Sequence, residues 1–125
     1  MSTAIYTHRV CLEHDPGPGH PESSARLAAV LEALDDARFA SLARIEAPKA
    51  TREQLARVHA QDLIDDVLED PVDVGWRRLD PDTVMSPASG DAALRAAGSV
   101  CAAVDAAIAA AFLCVKRFVS RLSRR

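Results

Sequence analysis

His14-Asp15-Pro16-Gly17-Pro18-Gly19-His20-Pro21-Glu22 is the stretch from which the fold and the site of this chain are predicted. Proline fixes the backbone angle φ and glycine supplies turns, so this run is a stiff, irregular loop. It carries two histidines, one aspartate and one glutamate. A polar loop between an apolar strand and an apolar helix is where an α/β protein usually places its site. The stretch therefore predicts an α/β fold with a candidate site on this loop.

The segments on either side of the loop fit that fold class. Residues 4–11 are β-favouring and nearly continuously apolar, as is typical of a strand in a parallel sheet that is covered on both faces. A helix is predicted over residues 23–36, where the apolar side chains recur at helical spacing: Leu27, Val30, Leu31 and Leu34. A second short strand is predicted around residues 42–45.

Composition narrows the class of protein. The 125 residues suffice for one domain with a usable core, and the net charge of -3 gives no bias toward nucleic acid. The three cysteines are odd in number and have neither a disulfide pattern nor the spacing of a zinc site. We therefore expect a reducing compartment, the cytoplasm. The start of the chain shows no signal peptide. The Ala-rich run 100–115 contains Asp105, and we expect it to be too short and too weakly apolar to span a membrane.

The middle of the chain offers local signals. Thr51 and Gln54 have the spacing of a capping box that opens a helix. His59 is interpreted as a helix-terminal histidine. Residues 71–87 read as a second irregular segment, in which Trp76 is either a lid anchor or a half-buried plug. Ser89 is predicted to cap a long Ala-rich helix over residues 89–111.

Four stretches together resemble the N-terminal portion of bacterial histone-deacetylase-like amidohydrolases, a family that includes acetylpolyamine amidohydrolases and acetoin-utilisation proteins. They are residues 11–22 with Arg26 and Leu27, residues 58–64, residues 79–89 and residues 92–98. The resemblance implies an arginase/deacetylase-like parallel sheet flanked by helices. It covers residues 4 to about 115, so the domain is expected to be incomplete.

The resemblance also implies which residues lie at a substrate rim or an internal channel: His20, Pro21, Glu22, Arg26, Asp82 and Thr83. The residues alone allow a plainer interpretation. Pro21 and Glu22 suit the first turn of a helix, and Arg26 suits a surface charge. Asp82 and Thr83 suit an Asx or ST turn.

No catalytic residue and no metal ligand is predicted in this chain. In the family, a buried strand with paired histidines follows the Ala-rich helix, and the zinc ligands lie further on. Residues 111–115 are expected to begin that strand, but no histidine pair follows. Zinc is therefore a cofactor of the full-length family and not of this chain. We expect a truncated member of the histone-deacetylase family that is inactive alone, unless a separate chain supplies the missing half.

The last ten residues differ from the family and from the acidic body, because they hold only basic charges: Lys116, Arg117, Arg121, Arg124 and Arg125. One hypothesis is a frameshift near residues 112–115. The alternative is a small non-enzymatic interaction protein whose basic amphipathic C-terminal helix binds anionic lipid or nucleic acid. For the truncated member we expect self-association through an exposed sheet edge, no nucleic-acid partner and no membrane span.

Overall fold

The computed structural model describes the backbone of residues 3–122 and the side chains of residues 3–113. The elements in chain order are β1 (Ala4–Thr7), α1 (Ser24–Leu34), β2 (Ala43–Glu46), α2 (Arg52–Leu55), α3 (Gln61–Glu69), β3 (Arg77–Asp80), β4 (Thr83–Met85) and α4 (Ser89–Leu122). Short 3₁₀ turns follow β1, at Arg9–Leu12, and α1, at Ala37–Phe39. Helices and strands are mixed, as the α/β prediction requires.

β1 and β2 pair in parallel, with Ala4 opposite Ala43 and Thr7 opposite Glu46. Parallel neighbours need a crossover connection, and α1 provides it. The parallel pair flanked by helices confirms the predicted fold class. β1 is shorter than predicted, because Nδ1 of His8 accepts the N–H of Val10 at 3.1 Å and starts a 3₁₀ turn.

α2 begins with the predicted capping box. The hydroxyl oxygen of Thr51 accepts the N–H of Gln54 at 3.2 Å, and the amide oxygen of Gln54 accepts the N–H of Thr51 at 2.9 Å. This reciprocal pair satisfies two of the backbone donors that a helix start leaves free. α2 nevertheless lasts for four residues only.

Residues 71–87 were predicted to be irregular, and that prediction was wrong in part. β3 and β4 form an antiparallel hairpin, with Arg77 opposite Met85 and Arg78 opposite Val84. The guanidinium of Arg77 donates to the carboxylate of Asp66 at 2.7 Å and to the carbonyl of Asp70 at 2.8 Å. These bonds tie the hairpin to α3 and are invisible in a local sequence pattern.

α4 runs without a break from Ser89 to Leu122, so the strand expected to begin at residues 111–115 is not formed. Alanine has the highest helix propensity, and the alanines that precede residue 112 favour continuing the helix. The side chains of the basic tail, residues 116–125, lie outside the described residues. By length and composition, Ser89–Leu113 is apolar enough to cross a membrane, with a mean hydropathy of 1.9. This criterion concerns length and composition alone, so the expectation that the run does not span a membrane stays a prediction.

The first half of α4 packs on the end of β2. Gly98 lies against the backbone of residues 48–50, so closely that a Cβ atom there would be 2.6 Å from the nitrogen of Ala50. The N–H of Ala50 donates to the carbonyl of Leu94 at 2.9 Å, and Arg95 donates to the carbonyl of Ala47 at 2.6 Å. The absence of a side chain at Gly98 permits this close helix packing.

The core of the described part is small. Its buried apolar residues are Val10, Ala47, Ala50, Ile64, Met85 and Ala92. None of the larger side chains described is fully buried. The predicted self-association through a sheet edge and the predicted cytoplasmic location stay predictions.

Candidate functional site

The loop of residues 13–23, here called the rim loop, is held in place by the hairpin. The indole N–H of Trp76 donates to the carbonyl of Asp15 at 2.9 Å, and its ring lies over Gly17. Gly17 has a φ of 94°, which favours glycine, and its N–H donates to the carboxylate of Asp15 at 2.9 Å. Trp76 is therefore an anchor for the rim loop, one of the two roles predicted for it.

His20 joins the rim loop to the β3–β4 turn. Its Nδ1 accepts the N–H of Glu22 at 3.1 Å, and its Nε2 lies 3.1 Å from the carbonyl oxygen of Asp82. Because Nδ1 accepts and a carbonyl can only accept, Nε2 carries the proton and donates it. Two of the predicted rim residues, His20 and Asp82, are thus in direct contact.

His14 bridges the rim loop and the start of α4. Its Nδ1 is 2.7 Å from the hydroxyl of Ser89, and its Nε2 is 3.7 Å from the carboxylate of Glu22. The hydroxyl of Ser89 also accepts the N–H of Ser86 at 2.7 Å. Ser89 thus fixes His14 and satisfies the N–H of Ser86, which precedes the helix. The predicted cap by Ser89 is not formed, because Ser89 is itself the first residue of α4 and its hydroxyl accepts from Ser86 and not from the first helical turn.

The predicted rim residues line two neighbouring clefts. Glu22, Arg26 and Thr83 line the larger cleft, of about 450 Å³. The smaller one, of about 340 Å³, is lined by the remaining three: His20, Pro21 and Asp82. The structure therefore brings the six residues into one region and divides them between two cavities. Their role in substrate binding stays a prediction.

The turn interpretation of Asp82 and Thr83 is also realised, with Asp80 as its centre. The carboxylate of Asp80 accepts the N–H of Asp82 at 2.8 Å and the hydroxyl of Thr83 at 2.9 Å. These hydrogen bonds lower the pKa of Asp80, the bond from the backbone of Asp82 contributing most. The turn thereby holds Thr83 at the mouth of the larger cleft.

The residues that line the larger cleft without having been predicted as rim residues include three with reactive or polar side chains near the rim loop: Cys11, His14 and Ser89. Burial raises the pKa of the Cys11 thiol. His14 stood in the quoted loop, and Ser89 closed the third matching stretch, so both carried a local signal. Cys11 ended the predicted first strand and opened the first matching stretch, so it carried a local signal of the same kind.

The structure gives no support for a metal centre in its described part. Among residues 3–113, no three His, Cys, Asp or Glu side chains converge as a metal site requires. His59 lies apart from the clefts in an exposed turn after α2, where its N–H donates to the carbonyl of Leu55 at 3.0 Å. That position agrees with its interpretation as a helix-terminal residue.

Comparison with known proteins gives a consistent result. A family model described as the histone deacetylase domain matches residues 20–118. Seven chains of solved structures match, and one of them is the crystal structure of the HDA15 HD domain. That match has a TM-score of 0.71 and 28% sequence identity, and it covers 79% of this chain but 30% of the other. No curated protein matches the chain significantly.

Proposed function

This chain belongs to the histone deacetylase domain family, and from that membership we propose that it carries the N-terminal, substrate-rim part of a zinc-dependent deacetylase domain and has no deacetylase activity alone. The observation that carries the proposal is the family match over residues 20–118, which contains all six predicted rim residues. The chain spans less than a third of the length of the HDA15 HD domain chain. A rim without the rest of such a domain is a binding surface and not a complete active site.

Zinc does not fit the described part of this chain. A catalytic zinc site uses three protein ligands and keeps one coordination position open for water or substrate. Residues 3–113 offer no such group. We therefore derive no hydrolytic step from these residues, and we propose that the ligands and the general base lie in the part of the domain to which this chain has no counterpart.

The larger cleft supports a role in binding an aliphatic chain with a polar end. Its wall includes Leu27, Met85 and Ala92, and its polar groups include Glu22 and Arg26. A cavity of about 450 Å³ lies within the range of small-molecule sites, which are mostly apolar with a few placed polar groups. Acylated lysines and acetylated polyamines, the substrates that the family resemblance implies, have this chemistry.

The proposal is tested by assaying the purified chain with an acetyl-lysine peptide and with an acetylated polyamine, each with added zinc. A complete deacetylase in the identical buffer is the positive control. We expect no turnover above buffer, together with no zinc retained after dialysis. Zinc-dependent turnover that a chelator abolishes would overturn the inactivity of this chain.

A further inference from the structure

His20 holds two parts of the rim region at once, with one hydrogen bond from each nitrogen of its ring. Nδ1 accepts the N–H of Glu22 at 3.1 Å, and Nε2 donates to the carbonyl of Asp82 at 3.1 Å. The first bond fixes the end of the rim loop next to α1, and the second ties the ring to the β3–β4 turn. The first bond requires a neutral ring, because a protonated imidazole carries a hydrogen on each nitrogen and accepts none.

Protonation of His20 therefore acts on these two bonds in opposite directions. A hydrogen on Nδ1 would face the N–H of Glu22, so that bond is replaced by repulsion between two donors. The bond from Nε2 to the carbonyl of Asp82 survives and becomes stronger, because its donor is then charged. Imidazole is the side chain that takes up a proton between about pH 5 and pH 8. In acid the ring should stay on the hairpin while the backbone of Glu22 moves away from it.

His14, the other histidine of the rim loop, responds differently. Its Nδ1 is paired with the hydroxyl of Ser89. A hydroxyl rotates and can donate or accept, so Ser89 can accept from a protonated His14 and turn its own hydrogen to the hydroxyl of Ser86, 3.2 Å away. The N–H of Glu22 is a backbone donor without this freedom. The contact of His20 with Glu22 is therefore the one that a proton must break.

The charges around His20 belong to the rim loop and to the β3–β4 hairpin. Arg78 and Asp82 of the hairpin line the smaller cleft together with His20. Because one is positive and the other negative, their effects on a protonated ring oppose each other, and the lost bond to Glu22 decides the outcome. The other charged side chains of these two elements have different partners: Glu13 contacts Arg9, Asp15 the N–H of Gly17, Glu22 the ring of His14, Arg77 the carboxylate of Asp66, and Asp80 the N–H of Asp82.

Glu22 is the residue whose position depends on this contact. It lines the larger cleft, where its carboxylate lies 3.7 Å from Nε2 of His14. Its side chain is 55% exposed, and within the described part the N-cap residue Ser23 contributes no side-chain bond to the start of α1. Packing and capping therefore add little to what His20 provides.

We propose that His20 is a proton-sensitive clip, which fixes Glu22 beside the larger cleft at neutral pH and releases it in acid while the ring stays bound to Asp82. The clip is independent of any deacetylase activity, because hydrogen-bond geometry alone produces it. Its effect is local, since the bonds of His14 to Ser89 and of Trp76 to Asp15 still hold the start of the rim loop.

The test is an NMR titration of the isotopically labelled full chain from about pH 8 to about pH 5.5, which follows the ring of His20 and the amide of Glu22 together. We expect both to change with the same midpoint. The exchange of the Glu22 amide with solvent, relative to an unprotected amide, should rise about fivefold, the factor for losing one hydrogen bond of ~1 kcal/mol. Circular dichroism should show that the helices are retained over this range.

His20→Asn removes the titrating ring but keeps an acceptor for Glu22. An asparagine oxygen can accept the N–H two residues further on, as the carboxylate of Asp15 does for Gly17. The Glu22 amide of this variant should therefore not respond to pH in this range. His59→Asn is the matched control, because His59 lies in an exposed turn apart from both clefts, and it should leave the transition unchanged.

Four results would overturn the proposal. The ring of His20 takes up a proton and the Glu22 amide does not respond, or the ring stays neutral down to about pH 5.5. The Glu22 amide follows the ring of His14 instead, or its transition persists in His20→Asn. The first three are read from the wild type, so they decide the matter even where a variant does not fold.

Discussion

Gly98→Ala should destabilise this protein, although the change from glycine to alanine inside a helix normally does the opposite. A Cβ atom at position 98 would lie 2.6 Å from the nitrogen of Ala50 and 2.8 Å from the carbonyl carbon of Lys49, and closer still to the oxygen of Pro48. All three are backbone atoms, which cannot rotate away as a side chain can. The helix itself has to move outward.

The magnitude follows from three effects. Overpacking at a tight contact costs about 1–3 kcal/mol. Moving α4 also weakens the bond from the N–H of Ala50 to the carbonyl of Leu94, and an unsatisfied buried backbone group costs about 1–3 kcal/mol. The higher helix propensity of alanine offsets about 1 kcal/mol. The expected net loss is about 1–5 kcal/mol, which at its upper end is a large fraction of the stability of a small domain.

Urea denaturation followed by circular dichroism measures this loss as a lower midpoint. Gly90→Ala is the matched control in the same helix, because its Cβ atom would lie 3.1 Å from the carbonyl oxygen of Val67. A shift of a few tenths of an ångström relieves that contact, so Gly90→Ala should be within about 1 kcal/mol of the wild type, where the propensity gain and the contact cost balance. If Gly98→Ala is as stable as Gly90→Ala, the close approach of α4 to β2 is refuted.

Three further outcomes are expected. Trp76→Phe keeps the ring over the rim loop but removes the indole donor to Asp15, so the free energy of unfolding should fall by about 1 kcal/mol in urea. The pKa of the Asp80 carboxylate is lowered in the folded state. Its stabilising effect is therefore present above the unfolded pKa of about 3.9 and is lost as the pH falls through the folded pKa. The urea unfolding curves of the wild type and of Asp80→Asn should converge in acid. The thermal melt should be broad and weakly cooperative because the core is small, and a sharp two-state melt of a monomer would contradict this.

Features that depend on neighbouring residues were predictable from the sequence. The capping box at Thr51 and Gln54 is formed as predicted, because both partners lie within one helical turn. The helix after the rim loop appears within two residues of its predicted ends, because its apolar spacing carries its own signal. A parallel sheet was predicted from the apolar character of residues 4–11, and β1 does pair in parallel with β2.

Features that depend on distant contacts were not predictable. The β3–β4 hairpin is tied to α3 through Arg77, eleven residues from Asp66. Its turn at Asp82 and Thr83 was predicted, but its two strands were not. The strand expected at residues 111–115 rested on the family pattern alone, and the alanines before it favour a helix. His20 and Asp82, which both line the smaller cleft, are brought into contact although they lie 62 residues apart in the chain.

One helix connects these observations. The start of α4 holds His14 through Ser89, its middle packs on β2 through Gly98, and its residues 104–113 are exposed. Nine residues of helix, about 13 Å, separate Ser89 from Gly98. Because a helix moves as a rigid rod over that length, an outward shift at Gly98 also displaces Ser89 from His14. Gly98→Ala should therefore alter the larger cleft as well as the stability, whereas Ile108→Ser should alter neither.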